Sequence, residues 1–291
     1  MTSTAGGHVS PLVSARELAG RLRDPNILIL DATVSLPPPR FDGDYRASSG
    51  ESGWLAAHIP GARFADLLGS LSAHEAPYHF AVPDPETLAE ALRSLGVDDD
   101  QQVVIYDSES GLWAARLWWM LRSVGIQAAV LDGGFTQWRL ENHPVESGAV
   151  ELTRGGPLTI EIDPSAWVNR AQVEAIVRGD EPGTLVCALS QELFNGTAVT
   201  RYRRRGHIPG SLNLPARQLF AADGTYLQRS ELALRVGAVP SDVARPLVLY
   251  CGGGISAAAN ALALTVLGER RISIYDGSLE EWAGDLALPL S

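Results

Sequence analysis

One stretch near the end of the chain guides the interpretation of the rest: Leu247-Val248-Leu249-Tyr250-Cys251-Gly252-Gly253-Gly254-Ile255-Ser256. An apolar run typical of a buried β-strand ends at Cys251, and an alanine-rich helical pattern follows three glycines. Glycine permits backbone conformations in which successive N–H groups point inward and surround an anion. The start of the following helix adds the positive end of its dipole. Both features favour a thiolate over a thiol, so Cys251 is predicted to be a nucleophile.

The surroundings of Cys251 occur a second time without the cysteine. Val103-Val104-Ile105-Tyr106-Asp107 matches the apolar run, with Asp107 standing 144 residues before Cys251. An Asp-Gly pair followed by a tryptophan recurs at the same spacing, at Asp132-Gly133 and Asp276-Gly277. Such repetition predicts a tandem duplication. A shared pentapeptide precedes each copy, His58-Ile59-Pro60-Gly61-Ala62 and then His207-Ile208-Pro209-Gly210-Ser211.

The repetition indicates two domains of about 140 residues, a common domain size. Short apolar runs alternate with helical patterns in each half, which is typical of an α/β fold with a parallel sheet and helices on both faces. We predict a first domain at residues 1–145, a linker at 146–159 and a second domain at 160–291. Ligands of such sheets bind beyond the carboxyl ends of the strands, where Cys251 is placed. The clearest helical patterns are Pro85–Leu95, Leu112–Val124 and Ser256–Leu267.

Composition describes a soluble globular protein, since 45% of the 291 residues are hydrophobic. No run approaches the ~18 apolar residues that a membrane span needs. Met1–Ser10 has neither a basic region nor an apolar core, which predicts no secretory signal. The two cysteines, Cys187 and Cys251, are too few for a disulfide framework and suit a reducing cytoplasm. The sequence has no His and Cys cluster with metal-ligand spacing, so we expect no metal site.

Charge is divided unevenly along the chain. Residues 1–160 carry 11 arginines against 20 acidic residues, whereas residues 161–291 carry 12 against 14. The acidic first half would repel nucleic acids and anionic membranes, so we expect neither as a partner. The basic run Arg201–Arg205 stands just before His207. It is either an exposed loop or a source of positive potential for a pocket that takes a small anion.

The doubled pentapeptide, the Cys251 loop and the two Asp-Gly motifs together resemble a two-domain rhodanese-type sulfurtransferase. The resemblance implies that each half is a rhodanese-like domain and that only the second is catalytic. The loop Cys251–Ser256 resembles the Cys-Gly-Ser-Gly-Val-Thr loop of 3-mercaptopyruvate sulfurtransferases. Thiosulfate sulfurtransferases carry basic residues in this loop, and here it has no charged side chain. We therefore expect 3-mercaptopyruvate to be the favoured donor, with thiosulfate possible.

The resemblance also implies a mechanism in which sulfur passes through Cys251. The thiolate attacks the outer sulfur of a small anionic donor, and pyruvate enolate or sulfite leaves. The loop holds the resulting persulfide until a thiol or cyanide accepts the sulfur, with no metal or organic cofactor. The oligomeric state stays open. The predicted binding residues of the loop are Gly252, Gly253, Gly254, Ile255 and Ser256.

A proton relay of the family is altered in this chain. The family has a loop serine that works with a histidine and an aspartate, and Gly253 occupies the place of the serine. The resemblance maps the histidine to His58 and the aspartate to Asp44 or Asp42. Either acid also suits a turn in this Gly- and Pro-rich stretch.

The donor-binding arginine of the family is replaced as well. Leu193 stands in its place, and leucine cannot make a bidentate contact with a carboxylate. A second family arginine falls near Arg201, which we predict to bind substrate. Cys187 occupies the place of a family aspartate. It is either a small core residue or a partner that resolves the Cys251 persulfide as a disulfide.

Two other functions are considered. A rhodanese-like phosphatase needs a longer loop that ends in a phosphate-binding arginine, and no arginine lies between Cys251 and Ala259. A non-enzymatic sulfur carrier or interaction module with a decayed donor site would fit Leu193 and Gly253. A comparison of sulfur donors on the purified protein separates these possibilities.

Overall fold

The structure is a computed structural model that describes residues 10–237, 239 and 245–291. The first nine residues lie outside this range, and with them nearly all of the segment on which we predicted that a secretory signal is absent. Among the described helices, none has both the length and the apolar character that crossing a membrane requires.

The described part of the first half contains a five-stranded parallel sheet and a short antiparallel pair. The strands are β1 (Leu12–Val13), β2 (Ile27–Asp31), β3 (Val34–Ser35), β4 (Ser48–Ser49), β5 (Arg63–Phe64), β6 (Gln102–Tyr106) and β7 (Ala128–Leu131). The helices are α1 (Ala15–Ala19), α2 (Glu51–Ala56), α3 (Pro85–Ser94), α4 (Leu112–Ser123) and α5 (Gly134–Leu140). The strand order of the parallel sheet is β1-β7-β6-β2-β5, and β3 pairs with β4.

The described part of the second half contains a parallel sheet of the same size. Its strands are β8 (Trp167–Val168), β9 (Thr184–Cys187), β10 (Leu212–Asn213), β11 (Leu247–Tyr250) and β12 (Ile272–Tyr275). Its helices are α6 (Arg170–Arg178), α7 (Gln191–Phe194), α8 (Arg229–Val236), α9 (Ile255–Leu267) and α10 (Ser278–Gly284), with a 3-10 turn at Ala216–Leu219. The strand order is β8-β12-β11-β9-β10, which repeats the order of the first sheet. The predicted α/β fold class is confirmed.

Apolar packing explains why each sheet carries helices on both faces. The outer face of the first sheet packs against α1 and α5, and the outer face of the second sheet packs against α6 and α10. The tryptophans of the repeated motifs, Trp138 and Trp282, fill these outer cores and are fully buried. The inner faces share one continuous apolar cluster in which α4 and α9 pack against each other. Burial of this shared surface holds the two halves together.

The carboxyl edges of both sheets face the opposite half of the molecule. Asp132 follows β7, and its carboxylate accepts the N–H of Tyr226 at 2.7 Å. Asp276 follows β12, and its carboxylate accepts the N–H of Val82 at 2.9 Å. Both members of the second contact stand 144 residues from those of the first. The interface is therefore a pseudo-symmetric one, and the carboxyl edges meet there.

The stretch that we predicted to be the linker lies along the first half. Arg154 pairs with Glu90 at 2.6 Å, and the N–H of Gly155 donates to the carbonyl of Arg93 at 2.8 Å. The end of the stretch therefore follows the surface of the first sheet's helix layer. The exact limits of the two domains stay a prediction.

Candidate active site

Cys251 lies at the carboxyl end of β11, directly before the loop that leads into α9. Its N–H donates to the hydroxyl of Ser278 at 3.1 Å, and its carbonyl accepts the N–H of Leu279 at 3.0 Å. The side chain is buried at the interface between the two halves, with only 2% of the residue exposed. A reactant therefore has to enter this interface to reach the sulfur.

The backbone of the loop leaves a group of N–H donors available. The carbonyls of Cys251 and Gly252 both accept N–H groups from the start of α10. Because a trans peptide points its N–H away from its carbonyl, the N–H groups of these peptides turn away from α10. Within the described residues, the N–H groups from Gly252 to Ser256 have no acceptor. Such unpaired donors are what the anion-holding nest predicted from the three glycines requires.

The corresponding loop of the first half shows such a nest with an anion in it. One carboxylate oxygen of Asp107 accepts the N–H groups of Glu109, Ser110 and Gly111, each at 2.9 Å. The other oxygen accepts the N–H of Ala114 at 2.9 Å. A carboxylate that belongs to the protein thus occupies the nest between strand and helix. The first half has no nucleophile at this position.

The two loops share the backbone conformation at the start of the helix. Gly111 precedes α4 with a φ of +75°, and Gly254 precedes α9 with a φ of +80°. This left-handed conformation favours glycine. The second loop is one residue shorter, and a cysteine replaces the aspartate. The chain therefore contains the same strand–nest–helix unit twice, once closed by a carboxylate and once carrying a thiol.

A histidine and a glutamate from opposite halves meet beside the loop. The Nδ1 atom of His79 is hydrogen-bonded to Glu280 Oε1, and the N–H of His79 donates to Glu280 Oε2 at 3.2 Å. A Cβ atom built on Gly253 would lie 3.7 Å from Glu280 Oε2 and 4.0 Å from the carbonyl of His79. These are ordinary contact distances, so the pair borders the space next to Gly253. The His79 ring also stacks on Tyr45, with centroids 4.0 Å apart.

Tyr45 lies close to these side chains and to Cys251. Burial raises the pKa of its phenol, the charges of Glu280 and Cys251 raise it further, and the charge of Arg201 lowers it. All three groups therefore lie within electrostatic range of the Tyr45 hydroxyl. Arg201 comes from the second half, and its Nη2 donates to the carbonyls of Leu36 at 3.0 Å and Pro37 at 2.9 Å. The structure thus brings the predicted residue Arg201 to the site.

His58 lies elsewhere, contrary to the expectation that it faces Cys251. It precedes β5 and so lies at the amino end of a strand, opposite the edge that meets the second half. Its Nδ1 atom bonds to the carbonyl of Trp54 at 2.7 Å, and its N–H donates to the carbonyl of Glu146 at 2.9 Å. None of its described contacts reaches the Cys251 loop. His58 supports the turn and the following linker.

The described contacts of Asp44, like those of His58, involve other residues, so the structure does not bring these two predicted residues together. The Asp44 carboxylate accepts the Nε–H groups of Arg46 at 2.8 Å and of Arg40 at 3.2 Å. The hydrogen bond from Arg46 is the main cause that lowers the pKa of Asp44 to about 2. Such a carboxylate stays ionised and does not exchange protons near neutral pH. The alternative acid, Asp42, forms an ion pair with Arg205 at 2.9 Å.

Cys187 is a core residue. It stands opposite Tyr250 in the pairing of β9 with β11, so its side chain lies on the same face as that of Tyr250. The side chain of Cys251, one position further, lies on the other face. Cys187 belongs to the outer apolar cluster of the second half, whereas Cys251 belongs to the shared inner cluster. Burial raises the pKa of the Cys187 thiol to about 12, so it stays protonated.

The basic run makes contacts both within the second half and across the interface. Arg204 donates to four carbonyls near the end of the chain, including that of Asp285 at 2.6 Å. Arg205 pairs with Asp42 across the interface. Among the arginines of this run, Arg201 is the one that acts on Tyr45 together with Cys251. Leu193 lies half-buried on α7, which begins shortly after β9 ends at the same edge of the sheet.

Sequence reasoning missed His79 and Glu280. A usable signal existed for Glu280, because it lies within the repeated motif between Asp276 and Trp282. His79 offered none, since its partner stands 201 residues away and only the fold brings the two together. The described residues contain no group of His, Cys, Asp and Glu side chains that could hold a metal ion.

Comparison with known proteins places the chain in a family. The sequence profile of the rhodanese-like domain matches residues 14–141 and 190–285. The 3-mercaptopyruvate sulfurtransferase of Escherichia coli is 34% identical over 282 residues, which cover 96% of each chain. The putative thiosulfate sulfurtransferase SseB of Mycobacterium tuberculosis is 33% identical over 284 residues, with 96% of each chain covered. This chain belongs to the rhodanese family.

A solved structure agrees with this assignment over nearly the whole chain. The crystal structure of SseA from Escherichia coli, described as a 3-mercaptopyruvate sulfotransferase with the rhodanese fold, is similar with a TM-score of 0.78. The sequence identity is 32%, and the match covers 93% of this chain and 99% of that chain. The similarity therefore includes both halves and their arrangement.

Proposed function

We propose that this protein is a sulfurtransferase that moves sulfur from a small anionic donor to a thiol or cyanide through a persulfide on Cys251. The observation that carries the proposal is the pair of matching nests. The nest of the first half holds the Asp107 carboxylate with four N–H groups, and the nest of the second half begins at Cys251. A persulfide anion is a charge of the kind that such a nest stabilises.

The transfer of sulfur from the donor to Cys251 needs no external oxidant or reductant. The Cys251 thiolate attacks the donor sulfur, a sulfur–sulfur bond forms, and the bond between that sulfur and the rest of the donor breaks with its electron pair. With 3-mercaptopyruvate the leaving group is pyruvate enolate, which needs a proton to become pyruvate. With thiosulfate the leaving group is sulfite, a stable anion. A thiol or cyanide then takes the outer sulfur and regenerates the thiolate.

His79 is the group that we assign to the proton transfer. It takes the role that the sequence interpretation gave to His58. Its backbone carbonyl and the carboxylate of its partner Glu280 both border Gly253, and Glu280 holds its Nδ1 atom, so Nε2 is the ring nitrogen left to exchange a proton. Histidine suits this role because its charge changes near neutral pH.

3-Mercaptopyruvate is the donor that we favour. The loop Cys251–Ser256 has no charged side chain, and the Glu280 carboxylate lies beside it. Both features disfavour a dianion such as thiosulfate more than a monocarboxylate. The Escherichia coli relative named above carries the name of this donor. Arg201 is the cation that we propose for the donor carboxylate, since Leu193 supplies none.

The test is a steady-state assay with both donors and with cyanide as acceptor. We expect repeated turnover with 3-mercaptopyruvate and weaker turnover with thiosulfate. Cys251→Ser should abolish both activities, whereas the matched control Cys187→Ser should retain them. Equal activity of Cys251→Ser and wild type would contradict the proposal.

The second candidate is a non-enzymatic sulfur carrier or interaction module. Leucine at position 193 and glycine at position 253, each in place of a polar group of the family, favour it. The same assay separates the two, because a carrier would accept one sulfur on Cys251 and release it without repeated turnover. A cytoplasmic location remains a prediction from the two unpaired cysteines.

A further inference from the structure

A buried arginine of the first half lies next to the catalytic loop. Arg116 lies on α4, and only 1% of it is exposed. Its Nη2 donates to Asp276 Oδ1 and to the carbonyl of Phe80, both at 2.6 Å. The guanidinium also lies over the ring of Trp167, 4.7 Å from the centroid. The arginine is thus held in one place by three contacts from both halves.

The opposite side of this guanidinium faces the loop. A Cβ atom built on Gly254 would lie 2.7 Å from Nη1 of Arg116. Only a residue without a side chain leaves room for this approach, and the φ of +80° at Gly254 independently favours glycine. In the part of the chain that the structure describes, neither Nη1 nor Nε of Arg116 has a hydrogen-bond acceptor. Buried donors without partners are rare and call for an explanation.

The loop of the first half has no such cation at the corresponding place. A Cβ atom built on Gly111, the counterpart of Gly254, would lie 3.3 Å from the ring of Phe220. An uncharged ring therefore borders the nest that the Asp107 carboxylate already fills. A guanidinium borders the nest that starts at Cys251. The positive charge therefore lies beside the nest that has no built-in anion.

The ion pair with Asp276 does not cancel this charge at the loop. Asp276 binds Nη2, whereas Nη1 is the atom that faces Gly254. The pair therefore presents its positive end to the loop. The charge also opposes that of Glu280, which borders the loop at Gly253. Other titratable or charged groups around the site include His79, Tyr45, Tyr78, Tyr202, Cys187 and Arg201.

We infer that Arg116, a buried residue of the non-catalytic half, is a positioning residue that supplies positive charge beside Gly254 and thereby favours the Cys251 thiolate and persulfide. The inference rests on the proposed role of Cys251 as the nucleophile. In this account the first half contributes to the reaction electrostatically and also forms one wall of the site. Opposite charges at this range favour the ionised form of a thiol.

The test measures the rate at which iodoacetamide alkylates Cys251 as a function of pH, in a Cys187→Ser background. Compared with wild type, Arg116→Met should move the midpoint of this profile upward by about one pH unit, as expected for loss of a nearby opposite charge. Arg116→Lys should keep the midpoint close to the wild-type value, because it keeps the charge. The matched control is Arg122→Met on the same helix, where the arginine lies over Trp118 and Trp119 and away from the loop. It should leave the midpoint unchanged.

A second variant keeps the test valid if Arg116→Met folds poorly. Asp276→Asn removes the negative partner and retains the arginine, so the midpoint should move downward or stay, never upward. An alkylation midpoint that is unchanged in Arg116→Met, in protein with the wild-type circular dichroism spectrum, would overturn the inference. Failure of the proposed function looks different, because wild-type Cys251 would then carry no sulfur after exposure to a donor.

Discussion

Cys187 and Cys251 illustrate how one step along a strand changes the chemistry of a residue. Cys187 ends β9 and Cys251 directly follows the neighbouring strand β11, and alternation turns their side chains to opposite faces of the sheet. Cys187 is surrounded by the outer core, where burial raises its pKa to about 12. Cys251 comes one position after the strand ends and meets the loop donors and the interface. The idea of a disulfide between them therefore has no support from the geometry.

The role of His79 predicts a donor-dependent effect of its replacement. His79→Gln should lower kcat with 3-mercaptopyruvate by about 100-fold, the usual contribution of general acid catalysis. The effect with thiosulfate should be much smaller, because sulfite leaves without needing a proton. Steady-state kinetics with both donors measure the ratio.

The matched control is His74→Gln, an exposed histidine of the same loop that bonds to the carbonyl of Gly69 at 3.1 Å. It should leave both rates unchanged. Equal losses with the two donors in His79→Gln would show that His79 supports the loop and does not supply the proton.

The leucine at position 193 leads us to expect weak binding of the donor carboxylate. Leu193→Arg should lower the KM for 3-mercaptopyruvate by about tenfold, since a charge-assisted hydrogen bond contributes about 1.5–3 kcal/mol before solvent exposure reduces it. Leu193→Gln is the control of similar length without a charge, and it should change KM little. An arginine variant with the wild-type KM would show that Arg201 already meets the carboxylate fully.

Among the elements, the loop before α4 carries a prediction about stability. The Asp107 carboxylate accepts four N–H groups, so Asp107→Ala leaves them without an acceptor. We expect the free energy of unfolding to fall by about 3 kcal/mol, from the loss of a cap and of buried hydrogen bonds. Asp107→Asn retains one oxygen and should lose less. Urea unfolding of the three proteins measures the difference.

Turnover per folded molecule should stay near wild type in both Asp107 variants, because the nest of the first half holds no reacting atom. A large loss of kcat in a folded Asp107→Asn protein would contradict this assignment. It would mean that the first loop takes part in the reaction.

The end of β7 carries a prediction about pH. Burial raises the pKa of Asp132 to about 6, above the ordinary value of 3.8 for an aspartate. The folded protein therefore binds this proton more tightly than the unfolded chain, and stability is lost as pH rises from about 4 to 6. Asp132→Asn keeps an oxygen for the N–H of Tyr226 and removes the charge. At pH 7.5 it should unfold with a free energy higher by at most about 3 kcal/mol, from the two-unit difference in pKa.

The gain in Asp132→Asn should disappear below about pH 3, where the wild-type carboxyl is protonated in both states. Asp99→Asn is a control of opposite sign, because hydrogen bonds from Thr159 lower the pKa of Asp99. Its carboxylate stabilises the folded state above the unfolded-state pKa, so this variant should lose stability at neutral pH. Urea unfolding at several pH values tests both, and a pH-independent difference for Asp132→Asn would contradict the burial effect.

At the scale of the whole molecule, the sequence predicted the features that depend on contacts between residues close together in the chain. The helical patterns at Pro85–Leu95 and Leu112–Val124 correspond closely to α3 and α4. The Cys251 loop was also predictable, because strand, glycines and helix follow one another in the chain. The repeated motifs indicated two similar halves, and the two sheets have the same strand order.

Residues whose role depends on the interface were harder to predict. His58 was placed at the site from the resemblance alone, although its position before a strand puts it at the opposite edge. His79, Glu280 and Arg116 acquire their roles only when the two halves meet. Their contacts join residues 160 or more positions apart, which no local pattern in the sequence shows.

Peptide mapping by mass spectrometry after exposure to 3-mercaptopyruvate, without an acceptor, tests the role of Cys251. We predict that the peptide containing Cys251 gains the mass of one sulfur atom and loses it when cyanide is added. The peptide containing Cys187 should stay unmodified in the same sample. Sulfur on Cys187, or none on Cys251 in protein that turns over the donor, would contradict the assignment of Cys251 as the sulfur-carrying residue.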